Sequence, residues 1–333
     1  MASGHSTWAR CAEAHVIPPF ALAPLRHSRH RTRTTIMSEE IGFIGLGAMG
    51  QRMATHLIVN GFDLNVYDPN PSALAPLLER GARSHASPKE VADAAQIVLI
   101  CVPTPDVVDQ VVLGVDGVIE GNAVRIVVDH STTGPSMARH IHQVLATKNI
   151  TALDAPLAGG VIGAKAGTLS VMVGGDKSAY FRCLPVFGAF GRKVEHIGDR
   201  PGLGQTLKLV NNMIVASTLV GTAEALLFGI KSGLNAKQML DILNVSTANS
   251  FTSETLIANS ILSRKFDFGF RLDLMHKDIR LFLAEAEKNG SPAFTSAIVK
   301  QFYDQAMSQD DKARDMSHVV EVLEGLAGVK IQS

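Results

Sequence analysis

Two groups of residues in this sequence have the types and spacing needed for chemistry. The first is the run Gly45-Leu46-Gly47-Ala48-Met49-Gly50, a glycine pattern that can hold the phosphates of a dinucleotide. The second is Lys208 with Asn212, two polar residues four positions apart in a largely apolar segment. A dinucleotide can carry a hydride and a lysine can carry a proton. Together they suit a reaction that interconverts an alcohol and a carbonyl.

The glycine run lies where a dinucleotide-binding turn must lie. A strand predicted over residues 41–45 leads into it, and a predicted helix carrying Met53 and Leu57 follows it. In such a turn the first glycine permits the tight bend, the second lets a pyrophosphate approach the backbone, and the third allows the helix to pack closely on the strand. The helix N-terminus then faces the anion. We therefore predict that the run binds a dinucleotide.

Asp68 stands at the end of the next predicted strand, about 20 residues after the glycine run. A carboxylate at this point can accept hydrogen bonds from the ribose hydroxyls of NAD and repel the 2′-phosphate of NADP. The following residues Pro69, Asn70 and Pro71 provide no arginine for that phosphate. The sequence thus favours NAD, and NADP stays open if Asp68 only caps the turn before Pro69.

Lys208 and Asn212 share one face of a predicted helix whose other residues are largely apolar. If that face packs against the dinucleotide-binding domain, loss of water around the ammonium lowers the pKa of Lys208 toward the range useful for proton transfer. Lys208 would then accept the proton of a substrate hydroxyl or return it to a carbonyl oxygen, and Asn212 would hold the substrate or orient the lysine. The alternative is a lysine that extends into solvent beside a satisfied asparagine.

The elements that position these groups change in character near residue 200. Before it, short and almost continuously apolar strands alternate with helix-length segments, which indicates βαβ units and a mostly parallel sheet. The predicted strands are 41–45, 63–67, 97–102, 125–129, 151–154, 169–173 and 193–196. After it, only helices are predicted, at 206–232, 236–243, 274–289, 292–309 and 318–328. We therefore predict a dinucleotide-binding α/β domain over residues 38–200 and an all-α domain over residues 201–330.

Composition and charge favour a small-molecule partner. The chain has 333 residues with 31 basic and 31 acidic side chains, so it has no net charge to attract nucleic acid or an acidic membrane surface. Its three cysteines are too few for a disulfide framework, and their spacing matches no metal site. The apolar stretch 213–230 includes Glu224 and several small residues, so we expect a buried helix there. We expect no nucleic acid, no membrane and no metal.

Residues 1–36 differ from the rest of the chain. They hold five arginines, four histidines, one acidic residue and the pair Pro18-Pro19, without hydrophobic periodicity, so we expect them not to fold. Met37 closely precedes the first predicted strand, which favours an extension upstream of an ordinary start and a cytoplasmic protein. The arginine-rich, acid-poor composition also fits a transit peptide, and the protein would then belong in the mitochondrial matrix.

Four blocks of residues resemble, in the same order, those of the β-hydroxyacid dehydrogenase family. They are Phe43-Ile44-Gly45-Leu46-Gly47-Ala48-Met49-Gly50, Asp154-Ala155-Pro156-Leu157-Ala158-Gly159-Gly160, Leu207-Lys208-Leu209-Val210-Asn211-Asn212 and Leu272-Asp273-Leu274-Met275-His276-Lys277-Asp278. The resemblance implies an α/β Rossmann-type N-terminal domain with a mostly parallel sheet, joined by a long interdomain helix to an all-α C-terminal domain. It also implies a homodimer or homotetramer that oxidises a short 3-hydroxy acid, such as 3-hydroxyisobutyrate, to its semialdehyde, or catalyses the reverse.

The resemblance implies roles for the residues that would meet the substrate. Lys208 carries over as the general acid or base and Asn212 as its neighbour at the substrate. Gly159 and Gly160 would present backbone amides to the substrate carboxylate. Ala158 stands where the family commonly has a serine, so a hydroxyl often offered to that carboxylate is absent. The identity of the substrate is therefore open.

The resemblance also implies residues around the nicotinamide. Val102 and Pro103 at one strand end, with Thr132 after the next strand, would line that side of the cofactor. Lys277 would reach the cofactor or the substrate from the second domain. Without the resemblance, Thr132 would be interpreted as a helix cap and Lys277 with Asp278 as a solvated ion pair.

Three other functions are compatible with parts of this pattern. An NADPH-dependent reductase of tartronate semialdehyde, succinic semialdehyde or a related aldehyde acid would use the same residues in the reverse direction. A reductase of imines would share the fold, but the relatives of that kind usually lack a lysine at the position of Lys208. A non-catalytic dinucleotide-binding module would be expected to lose both this lysine and the glycine pair Gly159-Gly160, and both are present.

Overall fold

Nine strands form one sheet in the part of the chain that the computed structural model describes, residues 39–308 and 313–332. The strands are β1 (Glu40–Ile44), β2 (Asp63–Tyr67), β3 (Arg83–Ser84), β4 (Ile97–Ile100), β5 (Ile126–Asp129), β6 (Thr151–Asp154), β7 (Leu157–Ala158), β8 (Leu169–Gly174) and β9 (Gly191–Gly198). Their order is β3-β2-β1-β4-β5-β6-β8-β7, with β9 paired to β8. The prediction for residues 1–36 lies outside the described residues.

Twelve α-helices connect and follow the strands within the same described ranges. They are α1 (Gly50–Val59), α2 (Pro71–Leu78), α3 (Pro88–Ala94), α4 (Pro105–Leu113), α5 (Pro135–Ala146), α6 (Gly160–Ala166), α7 (Lys177–Gly188), α8 (Leu203–Lys231), α9 (Ala236–Leu243), α10 (Leu272–Asn289), α11 (Phe294–Met307) and α12 (Val319–Ala327). The side chains of Asn70, Ser87 and Thr104 cap helices α2, α3 and α4, each followed directly by a proline. Proline suits this first position because its missing N–H has no partner inside a helix anyway.

The strands from β3 to β6 are all parallel and explain the apolar runs of the sequence. All four residues of β4 are buried, as expected for a strand covered by helices on both faces. The chain passes from β1 outward to β3 and then returns to place β4 on the other side of β1. The loops after β1 and β4 therefore leave in opposite directions and open a crevice at the carboxyl end of the sheet. The predicted Rossmann-type domain with a mostly parallel sheet is confirmed.

Three elements were missed by the sequence analysis. Strands β3 and β7 have two residues each, which is too short for any apolar period to be recognised. Strand β8 runs antiparallel to β6 and β7, so the sheet is mixed at this edge. A π-helix over Thr252–Ile261 follows α9, and its serine, threonine and asparagine residues dilute the apolar period that would have predicted it.

Apolar residues gather in three clusters, one of which includes α8. Alternate residues of β4 enter two clusters, one on each face of the sheet, with Leu99 in one and Val98 in the other. The third cluster is formed by helices, with Leu219 of α8 packed among residues such as Leu256 and Tyr303. Only helices follow residue 202 among the described residues, as predicted. The division into two domains near residue 200 stays a prediction.

Helix α8 is the one described helix long and apolar enough to cross a membrane by length and composition. In the fold, 44% of its most apolar window is buried. Its N-terminal part packs on β6 and β8, and the helix also contacts α10, α11 and α12. Three polar residues of α8 are buried in these contacts, Gln205, Lys208 and Asn212. Such packing is typical of a core helix that carries a site, in line with the buried helix we expected.

The close approach of α8 to the sheet gives a test of the fold. We expect Gly204→Ala to lower the free energy of unfolding by about 1–3 kcal/mol. Its Cβ would lie 2.2 Å from the carbonyl oxygen of Met172 and 2.8 Å from that of Asp154. Gly221→Ala on the same helix is the matched control, because no heavy atom lies within 4 Å of its Cβ. The free energy of unfolding of the control, measured by urea denaturation, should rise by roughly 0.5–1 kcal/mol. Equal stability of the two variants would contradict this packing.

Candidate active site

The glycine turn connects β1 to α1 at the carboxyl end of the sheet. Gly45 has a φ of +90°, and a Cβ there would lie 2.4 Å from the carbonyl oxygen of Cys101. A Cβ at Gly50 would lie 1.9 Å from the carbonyl oxygen of Gly45. A Cβ at Gly47, in contrast, would meet no atom within 4 Å. The chain itself requires the first and third glycines, whereas the space beside Gly47 is open to a ligand.

The backbone of this turn offers unpaired hydrogen-bond donors. Within the described ranges, the amides of Gly47, Ala48 and Met49 donate to no protein acceptor. They directly precede α1, whose N-terminus carries partial positive charge. Free amides at the start of a helix are the groups that bind phosphate. The geometry of the turn therefore fits the pyrophosphate of a dinucleotide.

Asp68 follows β2 and holds the glycine turn from the side. One carboxylate oxygen accepts the amide hydrogen of Leu46 at 2.6 Å, and the other accepts that of Asn70 at 2.8 Å. The second contact is the turn cap considered from the sequence, whereas the first joins residues 22 positions apart. Each carboxylate oxygen can accept more than one hydrogen bond, so both remain able to receive ribose hydroxyls.

Val102, Pro103 and Thr132 lie together at the ends of β4 and β5. The amide of Val102 donates to the hydroxyl of Ser131 at 2.9 Å, which ties the two loops to each other. Pro103 is exposed, while Val102 and Thr132 are half-buried. Thr132 is not the helix cap that its sequence context suggested, because Gly134 is the N-cap of α5 and no side chain caps that helix. These residues line the crevice next to the glycine turn.

Lys208 is buried in the first third of α8, with 9% of its surface exposed. Burial lowers the pKa of its ammonium group to about 8, the charge of Asp278 works against this shift, and the charge of Lys277 adds to it. Both protonation states are therefore well populated near pH 8. A lysine in this condition can take up or release a proton without leaving its site.

Two residues of α10 meet this face of α8. Asp278 is buried, accepts a hydrogen bond from the amide group of Asn212 at 2.6 Å, and lies 3.0 Å from the Nζ of Lys277. Lys277 also donates to the backbone carbonyl of Thr132. The sequence alone suggested a solvated ion pair. In the structure the pair is largely buried and bridges α8 and the loop after β5. Asp278 was missed as a site residue, and its only sequence signal was its place in the last family block.

The start of α8 is fixed to the sheet by buried polar contacts. The carboxylate of Asp154, at the end of β6, accepts the amide hydrogens of Gly202 at 2.7 Å and Gln205 at 2.8 Å. The side chain of Gln205 accepts the amide hydrogen of Thr133 at 2.9 Å and donates to the carbonyl of Ser131 at 2.7 Å. Gln205 is fully buried and was not foreseen from the sequence, since a glutamine near a helix start is ordinary.

The glycine pair after β7 has the conformation expected of a ligand-binding backbone. Gly159 and Gly160 have φ angles of +119° and +59°, and a Cβ at Gly160 would meet no atom within 4 Å. Ala158 pairs with Ser170 of β8, the strand on which α8 packs. In the described ranges no hydrogen bond joins these glycines to Lys208. The structure thus connects Asn212, Asp278, Lys277 and Thr132 by polar contacts and places Lys208 within electrostatic range of Asp278 and Lys277, whereas the glycine pair is connected to this group through the sheet.

His56 is a further residue that sequence reasoning did not select. Its Nε2 lies 3.1 Å from the carbonyl oxygens of both Ala164 and Lys165, at the C-terminus of α6. A Cβ at Gly167 would come within 3.0 Å of the His56 ring, so a glycine leaves room for the ring there. The contact joins α1, which follows the glycine turn, to α6, and His56 and Ala164 are 108 residues apart.

Two family models match consecutive parts of the chain. The model described as the NAD binding domain of 6-phosphogluconate dehydrogenase matches residues 40–198. The model described as NAD-binding of NADP-dependent 3-hydroxyisobutyrate dehydrogenase matches residues 202–323. Together they span the sheet and the helices that follow it.

Known proteins match over nearly their whole length. A 2-(hydroxymethyl)glutarate dehydrogenase from Eubacterium barkeri is 34% identical, with 88% of this chain and 98% of that protein aligned. An NAD-dependent L-serine dehydrogenase from Pseudomonas aeruginosa is 35% identical over 87% of this chain and 99% of its own length. The solved structure of Mycobacterium tuberculosis 3-hydroxyisobutyrate dehydrogenase with L-serine is 31% identical, has a TM-score of 0.78, and aligns over 86% of this chain and 99% of that one. This chain belongs to the β-hydroxyacid dehydrogenase family of NAD(P)-dependent oxidoreductases.

Proposed function

We propose that this enzyme oxidises a short 3-hydroxy acid of the 3-hydroxyisobutyrate type to its semialdehyde with NAD, or catalyses the reverse reduction, with Lys208 as the general acid or base. The observation that carries the proposal is the buried position of Lys208, which lowers its pKa to about 8. An exposed lysine would stay charged at neutral pH and could not accept a proton. A lysine with this pKa can serve both directions of the reaction.

The proton follows a short path in this proposal. A dinucleotide held by the glycine turn would supply the nicotinamide for hydride transfer in either direction. In oxidation, neutral Lys208 accepts the hydroxyl proton of the substrate, and the new ammonium is stabilised by the charge of Asp278. In reduction, charged Lys208 donates that proton to the carbonyl oxygen. Asn212 is fixed by its hydrogen bond to Asp278, so its position beside Lys208 does not vary between the two directions.

The substrate carboxylate would be held by backbone amides and a cation. Gly159 and Gly160, whose positive φ angles favour glycine, would turn their amides toward this anion, and Lys277 would contribute a positive charge from α10. The substrates named for the relatives share one chemical unit, a hydroxymethyl group on the carbon that bears the carboxylate. They differ in the third substituent of that carbon. We infer that this unit is recognised here and that Ala158 leaves space for the substituent.

The second candidate is an NADPH-dependent reduction of tartronate semialdehyde, succinic semialdehyde or a related aldehyde acid. It would use the same lysine, and one matching model is described by an NADP-dependent enzyme. Asp68 argues against it, because a carboxylate beside the ribose repels a 2′-phosphate. NAD is therefore the proposed cofactor.

A panel of hydroxy acids tests the proposed reaction. Initial rates would be measured with 3-hydroxyisobutyrate, 3-hydroxypropionate, L-serine and 2-(hydroxymethyl)glutarate, each with NAD and with NADP. We expect turnover of at least one of them, with NAD preferred. If the purified protein binds NADH but turns over none of the four acids and none of the aldehyde acids in reverse, the proposed reaction is wrong and a non-catalytic module is favoured.

Replacement of Lys208 tests its role. We expect Lys208→Ala to lower kcat by about 10²–10⁴-fold, because the proton would lose its acceptor, while the Kd for NADH changes little. Lys231→Ala on the same helix is the matched control, since this exposed lysine contacts only the carbonyl of Ala327 at the far end. Steady-state kinetics and NADH fluorescence titration give the two quantities. A Lys208→Ala enzyme as active as the control would eliminate Lys208 as the general base.

The pKa of Lys208 also sets an expected pH dependence. Lys208 is neutral above about pH 8, so kcat for oxidation should rise as the pH increases through about 8. The ammonium is needed for reduction, so kcat in that direction should fall over the same range. Parallel profiles in the two directions would show that another group transfers the proton.

The cofactor preference depends on Asp68 in this proposal. We expect Asp68→Ala to reduce the ratio of kcat/KM for NAD over NADP by about 10-fold or more, because both the ribose contact and the charge repulsion are lost. Asp68→Asn is the matched variant, which removes the charge but keeps an acceptor for the Leu46 amide. It should accept NADP better while binding NAD almost normally. Unchanged ratios in both variants would mean that Asp68 only supports the turn.

A further inference from the structure

Two carboxylates are buried side by side at the carboxyl end of the sheet. Asp129 and Asp154 end the neighbouring strands β5 and β6 and are register partners, with 6% and 4% of their surfaces exposed. Neither forms an ion pair with a basic side chain in the described ranges. Their hydrogen-bond partners are backbone amides and the hydroxyl groups of Ser131 and Thr133. Burial of two unpaired carboxylates is costly, so a position of this kind needs a reason.

Asp154 holds the part of α8 that carries Lys208. Its two oxygens accept the amides of Gly202 and Gln205, which lie at the start of the helix. Lys208 follows Gln205 by three residues, less than one helical turn. Any tilt of the first turn of α8 would therefore move the Lys208 ammonium relative to the sheet.

Asp129 holds the loop that meets α10. One carboxylate oxygen accepts the amide hydrogen of Ser131 at 2.9 Å, and the other accepts the hydroxyl hydrogen of Thr133 at 3.2 Å. Thr132 lies between these two residues, and its carbonyl accepts a hydrogen bond from Lys277. Asp129 thus determines where the loop presents this carbonyl.

The contacts of the two carboxylates belong to a closed series of polar contacts around Lys208, which we call the circuit. Gln205 joins the start of α8 to the loop after β5. From that loop the path continues through Lys277 to Asp278 and returns to α8 at Asn212, four residues after Lys208. Lys208 therefore lies between Gln205 and Asn212 of α8, and polar contacts connect both of these residues to the loop. The circuit has polar links at every step and fixes the lysine from both sides.

We infer that Asp129 and Asp154 are positioning residues for the reaction: as carboxylates they hold the first turn of α8 and the loop 131–134 in the geometry in which Lys208 reaches the substrate. The inference rests on the proposed role of Lys208. When either carboxylate is protonated, one of its acceptor oxygens becomes an O–H donor that faces an N–H or O–H group, which is also a donor. That contact is then lost and the circuit loosens. Activity then requires both carboxylates in the charged form.

The surroundings of the pair allow its protonation near neutral pH. Burial raises the pKa of Asp129 and of Asp154 to about 6, hydrogen bonds oppose the shift in both, and the charge of Asp154 adds to the shift of Asp129. Two other titratable groups are close to Asp129, and both are uncharged near pH 6. Cys101 has a pKa raised to about 12 by burial, and His130 has one lowered to about 4. The carboxyl pair is therefore the group that changes charge here around pH 6.

Two substitutions should move the acid limb of the pH profile in opposite directions. The profile is measured for reduction of methylmalonate semialdehyde with NADH, because charged Lys208 is fully present at low pH in that direction. Asp154→Asn removes the charge next to Asp129, which should shift the acid limb to lower pH by about one unit or abolish it. The same variant should lower the plateau of kcat about 10-fold or more, because the start of α8 is held less firmly. Thr133→Val removes a hydrogen bond to Asp129 and should shift the limb to higher pH.

The control is Asp176→Asn, which removes a carboxylate charge at the N-cap of α7 in the same part of the sheet but keeps an acceptor for the Ala179 amide and does not touch α8. It should change stability little and leave the acid limb at the wild-type pH. An acid limb that stays in place in both test variants, or that moves in the same direction in both, overturns the inference. Lys208→Ala tests the proposed function separately from this inference. Its turnover reports on the role of Lys208, whereas the inference is tested by the pH of the acid limb in the other variants.

Amide hydrogen exchange of the NADH-bound enzyme provides a readout that needs no turnover. Peptides covering residues 129–135 and 200–208 should exchange faster in Asp154→Asn than in the wild type at pH 7.5. In the wild type they should lose protection between pH 7.5 and pH 5, after correction for the intrinsic rate. Lys208→Ala and Asp176→Asn should keep wild-type protection in both peptides. Wild-type protection in Asp154→Asn would overturn the inference even if no substrate were turned over.

Discussion

Helix α8 begins against the carboxylate of Asp154, and this contact fixes how the helices after residue 202 sit on the sheet. The first amides of a helix have no partners within it, and Asp154 satisfies two of these at the start of a 29-residue helix. The charge also lies at the positive end of the helix dipole. Gly174 and Gly204 leave the required space, since a Cβ at either would come within 2.8 or 2.9 Å of the same carboxylate.

The lowered pKa of Lys208 depends on how α8 is packed. Burial removes water from the ammonium, and the nearby charge of Asp278 returns only part of the lost stabilisation, so the pKa stays lowered at about 8. If α8 stood away from the sheet, the same lysine would be hydrated and charged. The protonation state of the residue is therefore a property of tertiary packing, and the polar contacts of Gln205 and Asn212 on either side of Lys208 support that packing.

Four glycines of the two loops divide into those that the fold needs and those with open space beside them. Gly45 and Gly50 are required by close backbone contacts in the turn after β1, whereas the space beside Gly47 and Gly160 is empty of protein atoms. Gly47 lies just before α1, and Gly160 is the first residue of α6. His56 links those two helices directly, so the glycine turn and the glycine pair are held together.

The amino-acid sequence by itself determined the features that depend on local order. The glycine turn, the apolar parallel strands, the helices after residue 202 and the shared face of Lys208 and Asn212 all follow from spacing along the chain, and the structure has them where they were predicted. Two-residue strands and the π-helix escaped because they carry too little periodicity.

Only the tertiary structure decided which polar groups surround the lysine. The bonds from Asn212 to Asp278, from Asp154 to Gln205 and from Lys277 to Thr132 join residues 66, 51 and 145 positions apart. No local pattern encodes such contacts, because each depends on how α8 and α10 come to rest on the edge of the sheet. A buried aspartate and a surface aspartate look the same in a sequence, and the difference arises when packing removes the water around one of them.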